Sequence, residues 1–436
     1  MNDDIYEALA RTALLIELDI FGPATDHQDI VDGLRATTAR IITDRANIDS
    51  PAGQTALVTL FAQLAMMGLQ IDLDVPATAL HVGQPPLRGS DLSASLLSYS
   101  ADLMPGGSAR PSEIPDVTFT LGDTPAPPGA VRVSGTAWTA ATGALHQGPR
   151  WQGGGPAGAM AAAAAAAADG LRAAVPRIAE RLGHPAPADP RWRLHPGRQV
   201  NLDLSRYQVN DRVGLGEVDV ISGGAITNAA LYTLLRIPAL TAAIRIIEPD
   251  SLALSNLNRY ALALRSMTGW RKTRALQNFQ TPSVTITGFD QRLDDTTVPL
   301  LAPLAPKLLV GVDHIPSRWA AQHAGIASWL GIGASSHDFA LISAHPAGSA
   351  CAGCVHPRDE DITGEIPTIS FVSFWAGLLQ ALELIAHAAG KSPDWTRSTH
   401  VWPFGLENSR GLNQFAQDAS PACPLHCRAS AVLQAA

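Results

Sequence analysis

Charge, aromatic rings and sulfur are all scarce in this chain, and each scarcity excludes something. Charged residues make up 16% of the 436, and the formal net charge is −8. With no basic cluster interleaved with aromatics, the chain lacks the electrostatic footprint of a nucleic-acid binder. No cationic segment opens MNDDIYEALARTALLIELDIFG, where acids stand instead, so no secretory signal is expected and the chain reads as cytoplasmic. The longest apolar tract, GAMAAAAAAAADGLRAAV (158–175), is mostly alanine and is interrupted by Asp169 and Arg172. Alanine is the strongest helix former but a poor membrane anchor, so the tract predicts a close-packed internal helix and no membrane partner. Hydrophobic residues reach 46%, which at this length predicts two or three domains, each with its own core and broad buried interfaces.

No cysteine occurs before residue 351, and only four follow. Cys351 and Cys354 form a CxxC in CAGCVHP; Cys423 and Cys427 form a CxxxC in CPLHC. Two close pairs brought together by folding are the pattern of a closed zinc site, because tetrahedral zinc takes four thiolates and each pair supplies two from one turn. Reduced buried thiols, or a disulfide, are the alternatives. A four-thiolate zinc has no open coordination position, so it would brace the fold and do no chemistry.

Upstream, EVDVISGG (217–224) is an apolar run ending in Gly223 and Gly224, followed by an Ala-rich helical stretch from Ala225 to about Leu235. A second strand, AAIRIIEPD, runs from Ala242 to Asp250. Strand, small-residue turn, helix and a strand with an acid at its tip is the nucleotide-binding half of a doubly wound α/β fold. The small residues would let phosphates approach the helix N-terminus, and Glu248 would reach ribose hydroxyls. The turn is S-G-G-A-I-T rather than GxGxxG, and a plain strand–helix packing turn would read the same way.

The next run carries more. SLALSNLNRYALALRSMTGWRKTRAL (251–276) holds Ser255-Asn256-Leu257-Asn258-Arg259, then Gly269 and Lys272. KLLVGVDHIPSR (307–318) follows, with Asp313 at a strand end and an arginine beyond it, and then come the two cysteine pairs. In this order, over roughly 200–436, these features resemble the ThiF/MoeB/ubiquitin-activating superfamily of ATP-dependent adenylyltransferases. The resemblance implies a Rossmann-like adenylation domain with structural zinc at Cys351, Cys354, Cys423 and Cys427. It also implies ATP and Mg²⁺, and a carboxylate substrate at the C-terminus of a small ubiquitin-like or sulfur-carrier protein or of a peptide. Such a reaction needs cations to hold the triphosphate in line and absorb developing charge. Arg259 can bind phosphate through a fork and Lys272 as a point charge; Asp313 would hold magnesium, and Asn256 phosphate or ribose.

The chain also departs from that pattern. Ala225 and Thr227 replace two glycines of the loop, Glu248 replaces an aspartate, and a β-branched Thr227 would sit poorly in a left-handed conformation. The segment IPTISFVSFWAGLLQALELI (366–385) has no cysteine where thioester-forming members carry one, so a free acyl-adenylate is expected. Members supply a further arginine across a dimer; SRYQVND (205–211) is a partial echo, leaving Arg198 and Arg206 as candidates. A nicotinamide-dependent oxidoreductase would explain the glycine turn but not SNLNR, Lys272 or the cysteine pairs. A catalytically inactive scaffold fits the altered loop, but not the intact Arg259, Lys272 and Asp313.

Residues 1–195 carry no motif tied to chemistry. A helix and then an alternating strand are expected over 53–76, strands at 116–123 and 130–138, and a helix over 155–183 ending at Gly183. That order parallels the second half (196–436), so the first half reads as an α/β domain, either a degenerate copy of the adenylation domain or an unrelated cap. A homodimer or an intrachain pseudo-dimer follows. The Pro-rich stretch at 184–197 reads as the interdomain linker.

Overall fold

A computed structural model describes residues 2–427 except 24, 82, 146, 210–211, 325–327, 359–363 and 409–410. The first half supplies helices α1 (Asn2–Ile16), α2 (Pro51–Met66) and α3 (Ala157–Leu182). Its strands are β1 (Thr38–Ile42), β2 (Gln70–Asp74), β3 (Val117–Leu121), β4 (Val131–Gly135), β5 (Thr139–Gly143) and β6 (Gln199–Asp203). Local chemistry sets their limits. Ser50 caps α2 by accepting from the Gly53 N–H, with Pro51 at the first turn. Helix α3 stops at Gly183, whose φ of 65° is the left-handed cap that glycine adopts without strain.

The second half supplies β7 (Gly214–Ile221), β8 (Thr241–Ile247), β9 (Val284–Phe289), β10 (Lys307–Val310) and β11 (Trp329–Ser336). Strands β12 (Phe339–Pro346), β13 (Arg397–Val401) and β14 (Leu412–Ala416) follow. Its principal helices are α4 (Ala225–Leu234), α5 (Ile315–His323) and α6 (Ser370–Ala388).

The six-stranded sheet runs β2-β1-β3-β4-β5-β6 and the eight-stranded sheet β14-β13-β12-β11-β10-β7-β8-β9. In the first, β1 to β4 are parallel and β5 and β6 antiparallel; in the second, β7 to β11 are parallel and β12 to β14 antiparallel. Read from β1 and from β7, the two orders match strand for strand, except that β9 and β14 have no counterpart. The long crossover matches too: α3 joins β5 to its antiparallel neighbour β6, and α6 joins β12 to β13.

Helix α3 lies on β4 and β5, α6 lies on β11 and β12, and the two helices touch, with α2 and α4 beside them. One apolar core therefore runs through both halves, from Leu9, Phe61 and Phe119 to Leu231 and Trp375. Buried polar contacts cross the same layer: the Thr59 and Tyr232 hydroxyls lie 2.9 Å apart, and Ser370 donates to the Gln63 carbonyl at 3.0 Å. The far face of the second sheet carries a smaller core around Leu308, Val310 and Ile332. Helix α6 is long and apolar enough to cross a membrane, and 89% of that stretch is buried inside the protein.

The alanine tract is the buried interior of α3, as its composition implies. The expected division at 195 is displaced. Strand β6 pairs with β5 and completes the first sheet, so the sheets part after Asp203, and 184–197 connects two elements of one sheet rather than two domains.

Gly377 lets α6 approach the backbone of α4. A Cβ there would lie 2.3 Å from the Ile226 carbonyl oxygen and 2.5 Å from the Ala229 Cβ. Gly377→Ala gains helix propensity of up to about 1 kcal/mol but overpacks a backbone contact, which costs roughly 1–3 kcal/mol and often more. Urea unfolding should therefore show net destabilisation; equal or greater stability would contradict this packing.

Candidate functional site

A pocket of about 500 Å³ opens at the carboxyl ends of β7, β8, β10 and β11, where open α/β sheets bind ligands. Its walls include Gly224, Glu248, Arg259, Lys272 and Asp313, five of the residues singled out in the sequence. Gly223 and Asn256 are not among the lining residues. The Asn256 carboxamide oxygen accepts from the Ala253 N–H at 3.0 Å, so Asn256 shapes the turn that presents Arg259. Gly223 lies behind the wall, where a Cβ would come within 2.9 Å of the Lys272 Cβ and 3.0 Å of the Glu248 Cγ.

The loop after β7 is held by its own side chains. Glu248 accepts from the Gly223 N–H at 2.6 Å and the Asp250 N–H at 3.0 Å. Asn228 donates to the Gly223 and Gly224 carbonyls at 3.0 and 2.8 Å. Strain falls on Ser222, with φ of 118°, and not on Thr227, which sits in α4. The Ser222 hydroxyl accepts from the Gly224 N–H at 2.9 Å. Thr227 is accommodated because Gly311 faces it; a Cβ at Gly311 would lie 3.3 Å from its hydroxyl.

The pocket gathers five cations, Arg11, Arg259, Lys272, Arg292 and Arg318, against the three carboxylates of Glu248, Asp250 and Asp313. Lys272 lies 3.0 Å from Asp250 and 3.6 Å from Glu248. Burial works to lower its pKa, but Tyr260, Glu248 and Asp250 outweigh it and raise it, so the ammonium stays charged. Burial lowers Arg259, and the nearby Arg11 adds to the effect. Two guanidiniums sharing a poorly hydrated wall form a site that favours an anion.

Arg11 had no signature in the sequence. It comes from α1, in the other half of the chain, and donates to the Ile366 carbonyl at 3.0 Å. Its Nε lies 3.3 Å from Glu365 but is not aligned for a hydrogen bond. Asn258, inside the SNLNR run, fixes α1 there by donating to the Thr12 hydroxyl at 2.9 Å. Arg198 and Arg206 do not line the pocket: Arg198 pairs with Glu407, and Arg206 lies over Tyr207 and bonds Gln414. The last two residues of the 205–211 stretch lie outside the described residues.

On the side opposite the loop, Ser335, Thr368 and Ser373 meet, with the Ser373 hydroxyl 3.0 Å from each of the other two. These hydroxyls partner one another; among the described residues none of the three is hydrogen-bonded to a histidine or carboxylate.

At the matching place in the first sheet there is filling instead of a loop. Asn47 donates to Asp44, Asp123 and Thr124, Trp151 is 1% exposed beside it, and a Cβ at Gly122 would fall 1.7 Å from the Asn47 Oδ1.

The four cysteines converge behind the pocket. Cys351 lies 3.9 Å from Cys354 and 3.4 Å from Cys423, and Cys354 lies 3.5 Å from Cys427, sulfur to sulfur. All four sulfurs fall within 4.8 Å of one another. These separations exclude a disulfide and suit the ~3.8 Å edge of a tetrahedron with Zn–S of ~2.3 Å. Gly353 makes the approach possible, because a Cβ would stand 3.0 Å from the Cys423 sulfur.

No protein-family model matches the chain, and no curated protein matches it. Among solved structures it is similar to E. coli MccB with ATP, at 18% identity and TM-score 0.40, over 48% of this chain and 66% of that one. Another is the microcin C7 biosynthetic enzyme MccB in complex with N-formylated MccA, at 16%, TM-score 0.39, over 48% and 67%. PaaA is similar at 13%, TM-score 0.36, over 47% and 64%. The chain thus spans about two thirds of the length of those chains. Identities and TM-scores of this size do not carry a ligand or substrate across.

The cysteine geometry predicts about one zinc per chain, held by Cys351, Cys354, Cys423 and Cys427. Structural zinc binds with ~10–16 kcal/mol in small domains, so chelation should lower the melting temperature markedly. Metal analysis finding none, or four thiols that react freely in the native protein, would refute the site.

Proposed function

We propose that the chain adenylates a carboxylate with ATP and releases the acyl-adenylate without first transferring it to an enzyme thiol. The observation that supports this best is the convergence of Arg11, Arg259, Lys272 and Asp313 on one pocket at the N-terminus of α4. A carboxylate oxygen attacks the α-phosphorus, one P–O bond forms, the bond to the β-phosphate bridge breaks, and pyrophosphate leaves. Arg259 and Arg11 hold the polyphosphate, and Lys272, moving from its carboxylate partners, neutralises charge on the α-phosphate. Glu248, with its oxygens already fixed by backbone N–H groups, presents its remaining lone pairs to the ribose. Asp313, exposed on the pocket wall, is the carboxylate that would hold Mg²⁺, whose charge would offset that of the triphosphate.

The first half, in this reading, is a degenerate copy of the second and stands where a second protomer would, contributing Arg11 in cis. The substrate is the C-terminus of a peptide or of a small ubiquitin-like or sulfur-carrier protein. The hydroxyls of Ser335, Thr368 and Ser373 border its entry, beside Phe339 and Leu341.

Magnesium-dependent exchange of pyrophosphate into ATP, in the presence of the cognate carboxylate, tests the reaction. Asp313→Ala and Lys272→Ala should each lower it at least about 10²-fold, as loss of a preorganised charge-stabilising group does. Arg11→Ala should weaken it comparably, whereas Arg198→Ala and Arg206→Ala should not. Full exchange in Asp313→Ala or Lys272→Ala would mean the assigned site is wrong, and a protein that binds ATP but never exchanges pyrophosphate would be the inactive scaffold.

With the cysteines clustered together and no base hydrogen-bonded to Ser373 among the described residues, no covalent acyl-enzyme is expected. Incubation with ATP and carboxylate followed by a non-reducing gel should show no thiol-sensitive adduct. One that maps to any of the four cysteines would overturn both this claim and the zinc assignment.

A further inference from the structure

The cysteine cluster and the Asp313 loop are joined by a short series of contacts that the chemistry above does not use. Helix α5 begins two residues after Asp313, and three of its side chains reach back to the turn that carries Cys351 and Cys354. The Gln322 carboxamide oxygen accepts from the Ala352 N–H at 3.1 Å, and the Trp319 indole N–H donates to the His356 carbonyl at 3.1 Å. The Arg318 guanidinium places one nitrogen 3.2 and 3.3 Å from the two ring nitrogens of His356. Its other nitrogens both donate to the Val312 carbonyl, at 2.9 and 2.8 Å, immediately before Asp313.

Arg318 is 6% exposed, so each of its three nitrogens needs an acceptor. Val312 takes two of them, and the neutral His356 ring supplies an acceptor nitrogen for the third. Removing that acceptor would leave a buried guanidinium donor unpaired. The turn that carries His356 is short: Ala352–Val355 is four residues long, Ala352 anchors it in the smaller core of the second sheet, and the cysteines form a separate small cluster.

We propose that the cysteine knuckle is the rear support of the Asp313 loop, with His356 as the positioning residue that transmits metal occupancy to Arg318 and through it to the Val312–Asp313 backbone. This rests on the nucleotide reading only for its consequence, weaker Mg²⁺–ATP binding; the mechanical coupling stands apart from it.

Hydrogen–deuterium exchange on the full chain tests the coupling directly. Metal removal by chelation should raise exchange over residues 311–318 as well as around the cysteines. His356→Ala with its zinc retained should raise exchange over 311–318 to a similar extent. His356→Gln, which restores a carbonyl acceptor for Arg318, should return it toward wild type. In calorimetry with ATP and magnesium, His356→Ala should weaken binding about tenfold, and chelation of that variant should add less than twofold, as expected of coupled rather than independent sites. The proposal is overturned if chelation loosens only the cysteine turns and leaves 311–318 protected. It is also overturned if His356→Ala keeps wild-type protection there. A wild-type protein that binds no ATP would instead remove the nucleotide reading, and the exchange data would still decide the coupling.

Discussion

Backbone contact between α6 and α4 at Gly377 is the constraint on which the pocket depends. Because no side chain separates them there, α6 fixes the axis of α4 and so the direction in which its N-terminus points. One turn further along α6, Gln380 donates to the carbonyls of Val310 and Gly331 at 3.1 and 2.9 Å. That ties the end of β10, which leads into Asp313, to its neighbour β11. The first turn of the same helix places Ser373 in the pocket wall. A single buried helix thus registers the glycine loop, the strand that ends near Asp313 and the Ser373 side of the cavity against one another. Its apolar exterior, which resembles a membrane span in composition, is explained by contact on every side.

What could be read in the sequence was what depends on neighbours in sequence. Gly183 ended its helix where expected, the helix over 225–234 and the strands flanking it fell within a few residues of their expected limits, and the cysteine pairs converged. SNLNR and Lys272 were visible because a turn and a helix start have local signatures. Arg11 was not, since an arginine on an amphipathic helix looks like any surface cation; its place in the pocket wall comes from Asn258 gripping Thr12 across 246 positions. Strand β6 was hidden for the same reason: Gln199–Asp203, counted with the second half (196–436), joins the first sheet only once β5 is found beside it. The loop shows a subtler failure. Counting replaced glycines directed attention to Thr227, but only the backbone reveals that Ser222 carries the positive φ, with a cost on the order of 1–3 kcal/mol for a non-glycine residue.

The two halves share a strand order yet differ where chemistry would happen. After β7 the chain turns on small residues and leaves space; after β1 it inserts Asn47 and packs Trp151 across the end of the sheet. The same architecture therefore yields one cavity and one plug. Gly122 and Gly53 survive in the plugged half for a packing reason, because Asn47 occupies the volume a Cβ would need at either.

The shared core also bears on how the chain is made. Helix α3 leaves the ribosome well before α6, which covers the part of it that its own half leaves open, because Ser370 comes 188 positions after Leu182. At roughly 5–20 residues per second, the alanine face waits on the order of 10–40 s for its partner. Helix α1 waits longer still, since Arg11 meets Ile366 across 355 positions. Alanine suits that interval: a bare surface of single methyl groups is far less adhesive than one of leucine or phenylalanine, so the half-made protein keeps an interface that is tight when closed and weakly sticky while open.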